Sequence, residues 1–388
     1  MTPTMTQPST SSGALPTTDA PKPDGLSASL PDETLIAWLQ DMVLIREFEI
    51  RTMQAYSNAN IGGFCHVYNG QEAVAVGTIQ SVNHDDPVVT AYRDHGHALA
   101  RGMDPNACMA EMYGKITGCA KGKGGSMHMF DKPNNLFGGH GIVGAQTPLG
   151  AGLAFAVKYQ REVTGETESK KVALCYLGDG ALNQGALHEA MNLAGLFSLP
   201  VIYIVENNGY SMGTSIQRGT TMAHDLRKKA DAYGIESAVI DGLDIRNLYD
   251  SFKPLIDRCR DEVRPAFVDI KTYRYQGHSM SDPQKYRTKD EVQRFQDHDC
   301  IDRLAKHLLQ DRKCLSEDDY KTMQKETRTR VREAVKFAEN SPSPDPATEL
   351  YSDVLVNPQP GMSPLGEYVQ GAPNPLIDPS FYENGGAS

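Results

Sequence analysis

Apolar residues recur at helical spacing from Asp32 to about Tyr56, with Leu35, Trp38, Leu39, Met42, Val43 and Ile45 marking the stripe, and this period predicts a long amphipathic helix. Gln71 to Val82 and Pro105 to Tyr113 carry the same signature. Val88 to Ala91, Val172 to Leu177 and Val201 to Val205 are instead short, nearly continuous apolar runs, as expected of strands covered on both faces of a parallel sheet. Ala266 to Tyr273 reads as a further strand. Gln184 to Phe197 sets Leu187, Met191 and Ala194 on one helical face, so residues 172–205 form a βαβ unit. Helices follow over Lys289 to Leu309 and Glu317 to Glu339, the second opened by the capping pattern Ser316-x-x-Asp319. Between Gly114 and Gly152 glycines are dense and periodicity disappears, which predicts backbone approaching a ligand or a partner rather than core elements. The expected class is α/β, a mostly parallel sheet with helices on both faces.

The chemistry sits at the ends of the strands. Gly178-Asp179-Gly180 closes one apolar run and Asn207-Asn208 closes the next. A crossover helix makes the two strands parallel, so both motifs finish at the carboxyl edge, where open α/β sheets bind ligands. An Asp carboxylate and an Asn carbonyl are hard oxygen donors suited to Mg²⁺ that also holds phosphates, and the flanking glycines admit a diphosphate close to main-chain N–H groups. Tyr92-Arg93 follows another strand, where an Arg can clamp a phosphate. His66, His95, His97, His128, His140 and His278 are expected in Gly- or Ser-flanked loops, positions suited to proton transfer near neutral pH.

Composition narrows the partners. The 388 residues carry a net charge of −11 with no basic stripe, which argues against nucleic acid, and no apolar run is long enough to span a membrane. Seven cysteines without a Cys-x-x-Cys pair read as reduced thiols of a cytosolic protein. Residues 1–30, rich in Ser, Thr and Pro, read as a disordered tail that matches neither a secretory signal nor a transit peptide. Residues 357–388 read as an extended or disordered arm.

Two phosphate motifs compete and are set aside. Gly139-His140-Gly141-Ile142-Val143-Gly144 matches the dinucleotide fingerprint, but Asp131 to Asn135 before it predict no strand. Gly122-Lys123-Gly124-Gly125-Ser126 cannot be placed in the phosphate-loop register of an NTPase. Ligation of a metal by His95-x-His97 ranks below the oxygen site at Asp179 and Asn208.

With these residues assembled, the stretch from about Leu35 to Val356 closely resembles the alpha subunits of the decarboxylase component of the pyruvate dehydrogenase complex, a thiamine diphosphate family. The strings that carry the resemblance are Gly63 to Tyr68, Ala91 to Arg93, Lys121 to Met129, Gly141 to Gln146, Gly178 to Gly180, Glu206 to Asn208, and Tyr273 to Pro283. It implies a thiamine diphosphate-binding fold over 31–340 and a Pro-rich extension over 341–388. It implies that Asp179, Asn208 and the main chain of Tyr210 hold Mg²⁺, that Tyr92, Arg93 and His278 contact the diphosphate, and that Gly180 and Ala181 add backbone contacts. Gly141 and Val143 would meet the aminopyrimidine, and His66 would face the substrate carboxylate. His278 would also serve proton and acyl transfer. The family's pyrimidine-binding half has no counterpart here, so the resemblance implies a separate beta subunit in an α2β2 heterotetramer. It further implies pyruvate as substrate, a lipoyl acyltransferase as acceptor and a bacterial cytoplasmic setting. Acetoin and branched-chain 2-oxo acid relatives are the alternatives within the class, and a scaffold that keeps the fold without catalysis is the alternative outside it. Ser279 matches the family's regulated serine, but a loop serine alone does not establish control by a kinase.

Overall fold

The computed structural model describes residues 25–166, 170–350 and 352–353. The main strands are β1 (Val88–Ala91), β2 (Leu136–His140), β3 (Ala173–Gly178) and β4 (Val201–Asn207); β5 (Tyr210–Ser211) and β6 (Thr214–Ser215) form a small hairpin before β7 (Glu236–Asp241) and β8 (Ala266–Lys271). The helices are α1 (Asp32–Ser57), α2 (Glu72–Ile79), α3 (His95–Ala100), α4 (Pro105–Met112), α5 (Gln146–Glu162) and α6 (Gly185–Leu196). After them come α7 (Ile216–Gly219), α8 (Arg227–Asp231), α9 (Ile245–Glu262), α10 (Lys289–Gln296), α11 (Cys300–Lys306), α12 (Glu317–Asn340) and α13 (Pro346–Glu349). The part ending at Ser341 holds the sheet; a short second unit begins at Pro342 and contains α13. Most of the tail and arm read from the sequence lies outside the described residues, but the tail gives way at Gly25. There a 3₁₀ turn over Leu26–Ser29 is anchored by Ser27 donating to the Asp250 carboxylate.

Six strands form one sheet in the order β2-β1-β3-β4-β8-β7, every pair parallel. Leu174, Tyr176, Ile202, Ile204, Val268 and Ile270 face a core shared with α1, α2 and α9. Their neighbours Ala173, Cys175, Leu177, Val201, Tyr203, Val205 and Phe267 face α5 and α6. Strands apolar at both parities therefore bury both faces, each large aliphatic side chain contributing about 1.5–3 kcal/mol. The α/β class and the βαβ unit at 172–205 are as expected.

Three readings need correction. The glycine-dense stretch hides β2 and the start of α5, so the strand missing from the dinucleotide fingerprint does precede Gly141, and that ground for setting the motif aside falls. Glycines disguise β2 because they seldom favour strands, yet here they are demanded: a Cβ on Gly139 would lie 2.0 Å from Asp94 Oδ2, and Gly138 has φ +92° against the Phe130 ring. His95 and His97 lie buried on α3, not in loops, and His140 ends β2. The single helix expected over 289–309 breaks at Asp299, whose carboxylate caps α11 through Ile301 N and accepts from Arg46 and Tyr275. Strand β7 and helix α9 also form where no element was expected.

The two edges of the sheet differ. At the amino edge Asp86 accepts from Asn83 N, Val172 N and both Arg260 Nη atoms, while Arg101 donates to the carbonyls of Asn83, His84, Asp86 and Asn134. At the carboxyl edge, Asp94 Oδ1 and Asp179 Oδ2 are buried with no hydrogen-bond partner. Chain order reverses between β1 and β3, so this under-satisfied edge is the topological switch point.

Candidate functional site

Parallel strands deliver their following loops to one place. Tyr92-Arg93 leaves β1, Gly141 leaves β2, Asp179 leaves β3, and Asn208 leaves β4. Two histidines from outside the sheet join them. The ring of His66 lies 4.6 Å from that of Tyr92 and 4.9 Å from that of His278, with 5.7 Å between Tyr92 and His278. His66 Nδ1 donates to the His278 carbonyl at 2.7 Å, which fixes the tautomer and leaves Nε2 as the nitrogen facing outward chemistry.

Asp179 is buried, and burial pushes its carboxyl up to about 6, opposed by the Arg274 guanidinium. Its unpartnered Oδ2 neighbours a second set of oxygens bound to one cation. Arg274 Nη1 donates to Asn208 Oδ1 at 2.9 Å and to the Tyr210 carbonyl at 2.8 Å, and Nη2 donates to the Met212 carbonyl. A positive group thus already sits on two of the three oxygens expected to bind metal. Among the described residues no cluster of three or more His, Cys, Asp or Glu could hold a metal. A set of one carboxylate, one amide oxygen and one peptide carbonyl contains too few such residues to form one, but it is a hard-cation donor set.

Anion binding has its own signature here. Arg93 is buried and spends its Nη atoms on the carbonyls of Val67 and His278 rather than on a carboxylate. Burial and the charge of Arg274 both hold its pKa below the usual range. Two arginines that oppose one another favour an added anion. Gly180 is needed for close packing, since a Cβ there would meet Ser211 Oγ at 2.5 Å.

The loop carrying His278 is braced. Asp282 accepts from His278 N at 2.6 Å, Gln284 N at 2.9 Å and Tyr286 OH at 2.7 Å, and Tyr286 OH in turn accepts from Arg274. Arg274 is therefore a member of both the oxygen site and the loop, and it appeared in the sequence only inside the string Tyr273-Arg274-Tyr275. Gly141 and Val143 lie on the open side of the site, beside Ile142, which is 77% exposed. His95 and His97 stand behind the site, paired with Glu49 and Glu206, and so do not join a metal centre.

Burial and Arg93 depress both loop histidines, His66 to about 3 and His278 to about 4, with Arg274 adding to the effect at His278. Unfolded, each titrates near 6.5. Between that value and the folded pKa the unfolded chain binds more protons, so acidification through this window destabilises the fold. The His66→Gln variant is expected to flatten that acid limb, seen as a smaller fall in urea midpoint from pH 7 to pH 4. An unchanged slope would show that His66 is not held neutral.

The sequence profile of the family described as dehydrogenase E1 component matches residues 40–347. The pyruvate dehydrogenase E1 component subunit alpha of Rickettsia felis is 48% identical over 324 residues, covering 83% of this chain and 96% of that protein. The protein of the same description from Rhizobium meliloti is 46% identical over 333 residues, covering 86% and 93%. A chloroplastic pyruvate dehydrogenase E1 component subunit alpha-3 from Oryza sativa is 38% identical over 361 residues, covering 92% and 84%.

Proposed function

The chain belongs to the dehydrogenase E1 component family, and from that premise we propose that it is the alpha subunit of a pyruvate dehydrogenase. It would work with thiamine diphosphate and a beta subunit to decarboxylate pyruvate and pass the acetyl unit reductively to the lipoyl group of an acyltransferase. The observation that carries this reading is the orphaned Asp179 oxygen beside Asn208 and the Tyr210 carbonyl at the switch point of the sheet.

The residues fit the cofactor. Asp179, Asn208 Oδ1 and the Tyr210 carbonyl would hold Mg²⁺, displacing the guanidinium of Arg274. Tyr92, Arg93 and His278 would contact the diphosphate, supported by the main chain of Gly180 and Ala181. Gly141 and Val143 would offer their main chain to the aminopyrimidine. When bound, the thiazolium supplies the electron sink for loss of CO₂. His66 would meet the substrate carboxylate through Nε2; a carboxylate arriving there favours protonation of that nitrogen. His278, neutral in the free chain, would move protons in the acyl-transfer steps. The beta subunit would supply the group that activates the aminopyrimidine, completing two sites in an α2β2 assembly. The bacterial relatives named above support a cytoplasmic bacterial setting, and among the described residues no helix is long and apolar enough to cross a membrane.

Co-expression with a beta subunit of the same family, followed by a dye-acceptor assay, tests the substrate. Pyruvate is expected to outpace branched-chain 2-oxo acids and acetoin by at least about tenfold in kcat/KM, as one or more methylenes in a fitted pocket decide. A faster rate with acetoin or a branched substrate would reassign it.

A further inference from the structure

Behind His66 lies a buried chain of polar groups that the proposed reaction does not use. His95 Nδ1 meets the Glu49 carboxylate at 2.9 and 3.0 Å, and its Nε2 meets Ser126 Oγ at 2.8 Å and the Ser126 carbonyl at 3.0 Å. Ser126 Oγ accepts the main-chain N–H of His66 at 3.1 Å, and Glu49 Oε1 accepts that of Tyr68 at 2.7 Å. Glu49, His95 and Ser126 are all buried.

A serine, histidine and carboxylate in this order suggest a nucleophilic triad, but two observations oppose it. Ser126 is buried and its oxygen already accepts from His66 N. A general base must also be neutral, whereas here burial works against the charge of His95 and the Glu49 carboxylate outweighs it, holding the imidazole above its ordinary pKa. A doubly protonated ring donates from both nitrogens, which is what two acceptors at opposite ends require.

We propose that His95 is a positioning residue: its ring ties Glu49 of α1 to Ser126, and through Ser126 sets the main chain that presents the His66 ring to the substrate. This rests on the role given to His66 above. None of the contacts in this chain involves Asp179, Asn208 or Tyr210, so it can move residue 66 separately from the oxygen site. Misplacement on the scale of an ångström costs up to about 100-fold in such sites. The titratable groups around the ring are Glu49 from α1, Asp94 at the start of α3, and His66, which burial holds neutral near pH 7.

The test uses the assembled enzyme with its beta subunit. His95→Asn keeps a donor toward Glu49 but cannot reach Ser126, and it is expected to raise KM for pyruvate roughly 10-fold with the dissociation constant for thiamine diphosphate unchanged. His95→Gln, which reaches Ser126, restores most of the loss. Ser126→Ala reproduces the His95→Asn effect, and the double variant adds nothing further. Glu49→Gln removes the counter-charge, so His95 loses its proton at a lower pH and the rise of KM with pH begins at a lower pH than in the unmodified enzyme. His66→Ala separates the failures. If it raises KM while His95→Asn and Ser126→Ala leave KM unaltered, the positioning role is overturned. If His66→Ala itself leaves KM unaltered, the reading of His66 fails first. A loss of melting temperature and cofactor affinity at normal KM in the His95 variants would make the chain a structural brace and nothing more.

Discussion

Replacing Asp179 with asparagine is expected to remove Mg²⁺-dependent binding of thiamine diphosphate while making the ligand-free chain more stable at neutral pH. The two effects have one cause. Asp179 supplies the only carboxylate among the three oxygens assigned to the metal, so asparagine there leaves three neutral donors and an arginine that competes for two of them. Altering an outer partner of a metal site already costs about 10–100-fold in affinity, and a direct ligand should cost more. Without cofactor, however, the buried carboxylate is a liability. Its folded pKa of about 6 lies above the unfolded value near 3.8, so its charge opposes folding above about pH 6, and this penalty vanishes below about pH 4. Two units correspond to about 3 kcal/mol, an upper bound on the gain at pH 7. Calorimetric titration with cofactor and Mg²⁺, beside urea unfolding at pH 7 and pH 4, reads both arms. Retained binding would sink the assignment of the metal oxygens; a loss of stability at pH 7 would show that Arg274 and the backbone hydrogen bonds from Gly180 and Gly209 outweigh the cost of burying the Asp179 charge.

The purified chain is expected to decarboxylate pyruvate at a negligible rate until the beta subunit is added. Around the carboxyl edge Phe64, Ile142, Val143 and Met212 are exposed, and α5 presents Leu149, Phe155 and Tyr159 beside Leu193 and Leu196 of α6. Such apolar area on a chain with an otherwise ordinary charge balance is the mark of a surface awaiting a partner. In the proposed site the residues of this chain would bind and orient the cofactor, and the group that activates the aminopyrimidine would come from the beta subunit. Missing acid–base assistance costs about 10²–10⁴-fold, so adding the partner should raise the rate by that factor or more. Activity of the lone chain equal to that of the mixture would refute a divided active site. Analytical ultracentrifugation of the mixture checks the α2β2 stoichiometry independently.

Much of the site was legible because its elements are local. Gly178-Asp179-Gly180 and Asn208 follow apolar runs directly, and a strand that ends places its next residue at the sheet edge whatever the rest of the fold does. Helix α12 began where Ser316 accepts from Asp319 N, as its capping pattern required. Helix α9 was not read from the sequence: Ile245, Leu248, Phe252, Leu255, Ile256 and Cys259 keep helical spacing, but Pro254 inside the run obscured it. Strand β2 was not legible. Its glycines are explained by Asp94 and Phe130, residues that approach Gly139 and Gly138 only after folding.

The sequence by itself determined the α/β class, the parallel βαβ core and the oxygen donors at its carboxyl edge, because apolar periodicity and strand-end residues act over a few positions. The tertiary structure decided which charges those donors meet. Arg274, remote in sequence from Asn208, binds its oxygen; Glu49, on the first long helix, raises the pKa of buried His95; and burial, with Arg93 beside it, holds the His66 imidazole well below its ordinary pKa. Such pairings depend on distance and burial through Coulomb interaction in a low-dielectric interior, and neither quantity exists until the chain has folded.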